Sequence, residues 1–438
     1  KEEFCMQVNL NYGRGVLPLT LRDSWDVTIV RKPRMPVQAD PPSAVERALQ
    51  NPIGCGTLDS LADRGGKVCV LVCDITRPVP NGTILPILIR ELIASGFEPK
   101  DITVLIATGL HRPNEGEELA EVIGDAWVLN TVNVVNHFAH NDLEHVYVGT
   151  TKSGTSVRLD KRFVEADLKI VTGLVEPHFM AGYSGGRKVI APGIAHADTI
   201  TTLHNSTFMS HNKTTNCVLD GNPLHAEQLE IVSMIGDAYA VNTVIDEERN
   251  LSFVNFGEIV ASHLQAVEMT RKFSEIMLPV KYSTIVTSGA GYPLDKTYYQ
   301  TVKGMVGPLE ILSAGGSLIV ASECSEGLGS PDFVQSQKNL VAKGKDAFLD
   351  SIKTKKHASV DEWQTQMQLK STSRGDVQLY ATGLCDEQRK LTGVRTIESV
   401  ENAIEESIKK HSDPKVAVVP EGPYVIPFHE NIGFTGTE

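Results

Sequence analysis

Uninterrupted apolar runs of strand length constrain this chain more than any other feature. Lys67–Cys73 (KVCVLVC), Ile102–Ala107 and Leu168–Leu174 show little polar alternation, so strands built from them must be covered on both faces. Helical periodicity lies between the runs. A helix is expected over Ile84–Ala94 with Gly96 closing it, one near Ala44–Gln50, and one over Asn114–Ile123 with Asn114 near its N-cap. The pattern resumes with a helix over Ala261–Met277 and strands at Ser283–Thr287, Ser317–Ala321, Val377–Thr382 and Val416–Val419. A short strand is expected near Phe4–Leu10. Such alternation predicts an α/β fold with mostly parallel sheets flanked by helices. A chain of 438 residues exceeds one ordinary core, so two domains are expected. The boundaries read as 1–272, a first domain that binds the ligand, and 273–415, a second that closes over it. A terminal segment, 416–438, has a mobile end, and the pattern leaves open its return to the first domain.

The formal net charge of −13 argues against a nucleic-acid partner, and it says little about a small anion held in a local field. No apolar run has the roughly 18–20 residues that span a bilayer, and no signal peptide is visible. The seven cysteines are scattered without metal or disulfide spacing, so buried thiols in a reducing cytoplasm are expected.

The polar motifs fall where strands end, as ligand sites do in open α/β sheets. DITRP follows the first run and supplies Asp74, Thr76 and Arg77: a strand-end acid, and a guanidinium able to clamp a carboxylate. TGLHRP follows the second and supplies His111, a candidate acid/base. EPHFMAGYSGGRK follows the third. It places His178, Ser184, Gly185, Gly186, Arg187 and Lys188 together, and glycines beside cations suit a phosphate-bearing ligand. The loop lacks the Ser or Thr of a Walker A motif after Lys188, and GxGxxG is absent. His204 lies on an expected helix, and a lone histidine is a weak metal site unless a cofactor brings the other donors. In GYPLDKTYYQTVKGM, Tyr299, Gln300 and Lys303 sit together, Gln300 and Lys303 on one helical face. His137, His140 and His145 read as solvated loop histidines and not as a metal site.

In this order, DxTRPxP, TGxHRP, HFxAGxSGGRK with PGIA, and GYPLDxxxYQxVKGM resemble the nickel-pincer lactate racemase family of 2-hydroxyacid racemases and epimerases. The resemblance runs from about residue 50 to residue 420 and implies an active site in an interdomain cleft. It implies a pyridinium-3-thioamide-5-thiocarboxylic acid mononucleotide holding Ni(II), covalent on Lys188 and made by cofactor-biosynthesis proteins. A chain produced without those proteins can therefore be an apoprotein. His204 matches the nickel ligand, and planar four-coordination suits Ni(II). His111 and His178 match the acid/base pair, one removing the hydroxyl proton as hydride passes to the pincer. Arg77 and Lys303 match the carboxylate-binding residues, with Tyr299, Gln300 and Trp363 nearby. Asp74, Thr76, Ser184, Gly185, Gly186 and Arg187 would hold ribose and phosphate. Lactate leads among the substrates. The loop ASECSEGLGS, with Pro177, leaves a larger or more acidic 2-hydroxy acid open. Two alternatives stand beside this: a pincer-binding protein without racemase activity, and a phosphoryl-transfer enzyme using the glycine loop.

Overall fold

The computed structural model describes residues 5–62 and 66–430. Of the tail expected to be mobile, 429–438, residues 431–438 lie outside the described residues, as does Phe4 of the first expected strand, while His429 is in a strand paired with Leu278. The chain forms two compact units: an N-terminal unit of Arg34–Leu203 and Val218–Lys272, and a C-terminal unit of Lys1–Pro33, His204–Cys217 and Phe273–Glu438.

The chain begins in the C-terminal unit. Strands β1 (Cys5–Tyr12) and β2 (Gly15–Arg22) form an antiparallel hairpin. The next strand, β3 (Asp26–Ile29), is an edge of that unit's main sheet. The boundary drawn from the sequence put residues 1–33 with the first domain. They belong elsewhere because β3 pairs in parallel with residues 415–418, a partner nearly the whole chain away.

The N-terminal unit is built on β4 (Val68–Cys73), β5 (Ile102–Ala107), β6 (Asn133–Asn136), β7 (Leu168–Leu174), β8 (Tyr239–Ile245) and β9 (Leu251–Glu258). Their order is β9-β8-β7-β4-β5-β6, parallel except for β9. As the apolar run requires, Val70, Leu71 and Val72 are 0% exposed. The Asn81–Ala94 helix covers the sheet with Ile84, Leu85, Leu88, Ile89 and Leu92, each worth roughly 1.5–3 kcal/mol on full burial. Strand order reverses at β4, so the loops after β4, β5 and β7 gather at a topological switch point.

The C-terminal unit carries β10 (Tyr282–Ser288), β11 (Leu312–Ala321), β12 (Asp376–Tyr380), β13 (Arg395–Thr396) and β14 (Lys415–Val419). The order β13-β12-β11-β10-β14-β3 is parallel throughout. Residues 415–419 therefore lie inside this sheet.

Other expectations are corrected locally. The helix expected from Asn114 runs Glu117–Ile123 behind Gly116. Asn114 instead joins two loops, accepting from the Ile75 N–H at 3.2 Å and donating to Glu118 at 3.1 Å. The helix expected over Ala261–Met277 runs Ile259–Ser274 and gives way to a strand at Glu275–Leu278. Among the cysteines Cys69, Cys217 and Cys324 are buried, while Cys5 and Cys385 are exposed. Among the described residues no helix is long and apolar enough to cross a membrane.

Candidate active site

In the N-terminal unit the loops after β4, β5 and β7 bring the first group of residues together. Asp74 is 5% exposed. Its Oδ1 accepts from the Thr76 hydroxyl at 2.5 Å and the Thr76 N–H at 3.2 Å, and its Oδ2 meets His111 Nδ1 at 2.6 Å. Burial works to raise this carboxyl, but the hydrogen bonds and charge of His111 and the Thr76 donors outweigh it and hold it below its usual range. A carboxylate only accepts, so His111 Nδ1 carries a proton, and in the neutral ring Nε2 keeps its lone pair. The His111 side chain is 63% exposed.

His178 is buried, in a two-residue bridge with Pro177 against Gly182 and Tyr183. Its Nδ1 accepts from the N–H groups of Met180 at 3.2 Å and Ala181 at 3.1 Å. In the neutral ring the proton is then on Nε2. Arg77 is ion-paired with Glu176, a residue that carried no role in the sequence reading. Glu176 is stapled by Ser184, whose N–H donates to its carbonyl at 2.9 Å and whose hydroxyl accepts its N–H at 3.1 Å.

The glycine loop meets a demand of the fold. Gly185 and Gly186 have φ of +78° and +49°. A Cβ on Gly185 would lie 2.8 Å from Val175, and one on Gly186 2.9 Å from the His263 ring. Arg187, expected to offer charge to a phosphate, is turned inward and 1% exposed. Its Nε donates to His225 Nδ1 at 2.9 Å, its Nη2 to the Ala181 carbonyl at 2.8 Å, and its Nη1 lies 3.1 Å from His263 Nε2. Burial, then the Arg187 charge, pushes His225 down to about 3, so it stays neutral; His263 is pushed well down by the same causes. Nothing in the sequence signals His225 or His263, which lie on distant helices. Lys188, the next residue, is partly exposed. The Arg187–Ile190 helix that carries Lys188 packs against β4, and burial pushes the Cys73 thiol at the end of that strand up to about 11 against the opposing charges of Arg77 and Lys188.

The C-terminal unit holds the second group. His204 lies one residue past the Ala197–Leu203 helix and not on it, its ring 4.7 Å from that of Trp363. The segment 204–217 is anchored to the Glu362–Arg374 helix: Gln366 donates to the Ser206 hydroxyl at 3.0 Å, and Lys370 to the Thr214 carbonyl at 2.8 Å. The Tyr298–Val306 helix buries Tyr298, Thr301 and Val302 and leaves Tyr299, Gln300 and Lys303 partly exposed on one side. Gln300 Oε1 is buried and has no hydrogen-bond partner among the described residues, an acceptor suited to a ligand hydroxyl.

The histidines read as solvated divide differently. His140 is exposed, whereas His137 and His145 are buried, with Nε2 atoms 3.0 Å apart. Burial pushes His137 down to about 3. Among the described residues no group of three or more His, Cys, Asp or Glu could hold a metal ion. A metal at His204 would thus take its other donors from a bound group. The amine of Lys188 and the imidazole of His204 have the chemistry the pincer nucleotide asks for.

Comparison with known proteins identifies the family. The family model described as lactate racemase N-terminal domain matches residues 12–216, and the lactate racemase C-terminal domain model matches residues 279–427. The lactate racemase of Thermoanaerobacterium thermosaccharolyticum is 32% identical over 372 residues, covering 82% of this chain and 84% of that protein. That of Lactiplantibacillus plantarum is 30% identical over 387 residues, covering 87% and 90%. The solved lactate racemase apoprotein from T. thermosaccharolyticum superposes with a TM-score of 0.88 at 29% identity, covering 96% of this chain and all of that one. A Thermotoga maritima protein at TM-score 0.66 and 17% identity shares the fold, with 91% of this chain covered. The chain belongs to the lactate racemase family and is an isomerase of the racemase type.

Proposed function

We propose that this protein racemises a 2-hydroxy acid, with lactate, named in its relatives, as the leading substrate. The observation that carries the reading is the Asp74–His111 pair, a histidine whose outer nitrogen is preset as a proton acceptor. His111 Nε2 takes the hydroxyl proton, and the Asp74 carboxylate faces the positive ring that results. His178 donates a hydrogen bond from its Nε2 to the same oxygen, and the proton that the oxygen regains comes from the His111 imidazolium. Arg77 and Lys303 hold the substrate carboxylate, with Gln300 and Tyr299 beside Lys303 on the same helix.

Lys188 would tether a nickel-pincer nucleotide and His204 would ligate its metal. When bound, that group supplies a reversible hydride acceptor for the substrate carbon, so a planar 2-keto acid lies between the enantiomers. Loading requires the family's cofactor-making proteins, and the cytoplasm is the compartment this chemistry suits.

The test is chiral chromatography of single-enantiomer lactate incubated with protein co-produced with the maturation proteins. Appearance of the other enantiomer, together with an adduct mass on Lys188, is expected. A fully loaded protein that leaves lactate unchanged, and also a panel including malate, would overturn the reading.

A further inference from the structure

We propose that Trp363 is a positioning residue, whose indole, carried on a turn held at Asp361 and Gln364, sets the orientation of the His204 imidazole. This rests on the reading of His204 as the metal ligand. His204 has left its helix, so no helical backbone restricts its side chain. Its ring lies against the indole at 4.7 Å and 42°.

The indole is fixed in its turn. Trp363 is 7% exposed and sits in the first turn of the Glu362–Arg374 helix. The turn that carries it is tied down on both sides, since Asp361 before it accepts from Ser330 and Gln364 after it donates to the Tyr299 carbonyl. Asp361 holds a left-handed conformation, φ 62°, that costs a non-glycine residue on the order of 1 kcal/mol or more. The Ser330 hydroxyl donates to its Oδ2 at 2.5 Å. Tyr299 is held at its carbonyl by Gln364 at 2.6 Å and at its ring, edge-on, by Phe333 at 5.1 Å. Ser330 on Asp361 and Gln364 on Tyr299 thus fix the turn that presents the indole to the His204 ring. A ligand must be held within about 10–20° of its productive angle, and the groups behind it do that.

Matured wild-type, Trp363→Leu, Trp363→Phe and His204→Ala proteins would be compared for nickel loss to a chelator and for intact mass. Trp363→Leu should release nickel about tenfold faster, with the Lys188 adduct intact, and Trp363→Phe should restore retention. A measurement without cofactor uses the apoprotein. The His204 ring-proton resonances should lose their ring-current shift in Trp363→Leu and keep it in Trp363→Phe, with both variants folded at the temperature of measurement. Wild-type nickel retention and wild-type resonances in Trp363→Leu would overturn the proposal. Nickel retained by His204→Ala would remove the ligand role itself, and the proposal with it.

Discussion

His111 and His178 follow strands that flank β4 on either side, yet their surroundings give them opposite proton occupancy. His111 is solvent-facing, and its Nδ1 meets a carboxylate at 2.6 Å. His178 is enclosed, and its Nδ1 meets N–H groups of Met180 and Ala181 at 3.2 and 3.1 Å. One residue type is thereby preset as acceptor in one place and as donor in the other. The difference lies in the partner of the inner nitrogen, a carboxylate in one case and backbone amides in the other. A racemase has use for both states, because the substrate oxygen must give its proton to a base and be held by a hydrogen-bond donor while it is a carbonyl.

The sharpest way to break the comparison is Asp74→Asn. An amide at this position can donate to Nδ1 and favour the wrong tautomer, so kcat should fall roughly 10²–10⁴-fold with adduct and nickel unchanged. Wild-type kcat in that variant would dissolve the distinction between the two histidines. Gly186→Ala tests the enclosed side. With φ of +49° and the His263 ring 2.9 Å from a new Cβ, it should cost about 1–3 kcal/mol, read as a lowered melting temperature.

The pH dependence of stability separates the two sites further. Asp74 is held below its unfolded value, so its contribution is complete above the unfolded carboxyl range near pH 4 and is lost as pH falls through the lower folded value. Asp74→Asn should flatten the acid limb of a melting-temperature profile, and His178→Gln should leave that limb in place. An acid limb identical in Asp74→Asn and wild type would count against the pairing. The smallest effect is expected from Glu176→Gln. Removing the anion on Arg77 should lower KM by about fivefold or less, the scale of a partly exposed ion pair. An unchanged KM would separate Arg77 from the substrate carboxylate.

What the sequence disclosed follows from the range over which each feature is determined. β5 and β7 run over the residues read from the sequence, because buried parallel strands are written locally as apolar runs. The loops after β4, β5 and β7 were legible for the same reason, being the polar ends of those runs. Pairings between distant segments were not. The partner of β3 lies at residues 415–418, so residues 1–33 could not be assigned from their own composition. Arg187 and Lys188 are neighbours of like charge, yet one is sealed against His225 and His263 and the other is partly exposed. Only the packing of the short Arg187–Ile190 helix distinguishes them. Trp363 was read as near the ligand, while its contact with His204 depends on segment 204–217 docking on a helix more than a hundred residues away.

The ring-nitrogen tautomers of His111 and His178, read by 15N chemical shifts at a pH where both rings are neutral, test the account most directly. The account predicts a proton on Nδ1 of His111 and on Nε2 of His178. The same tautomer at both positions would contradict it.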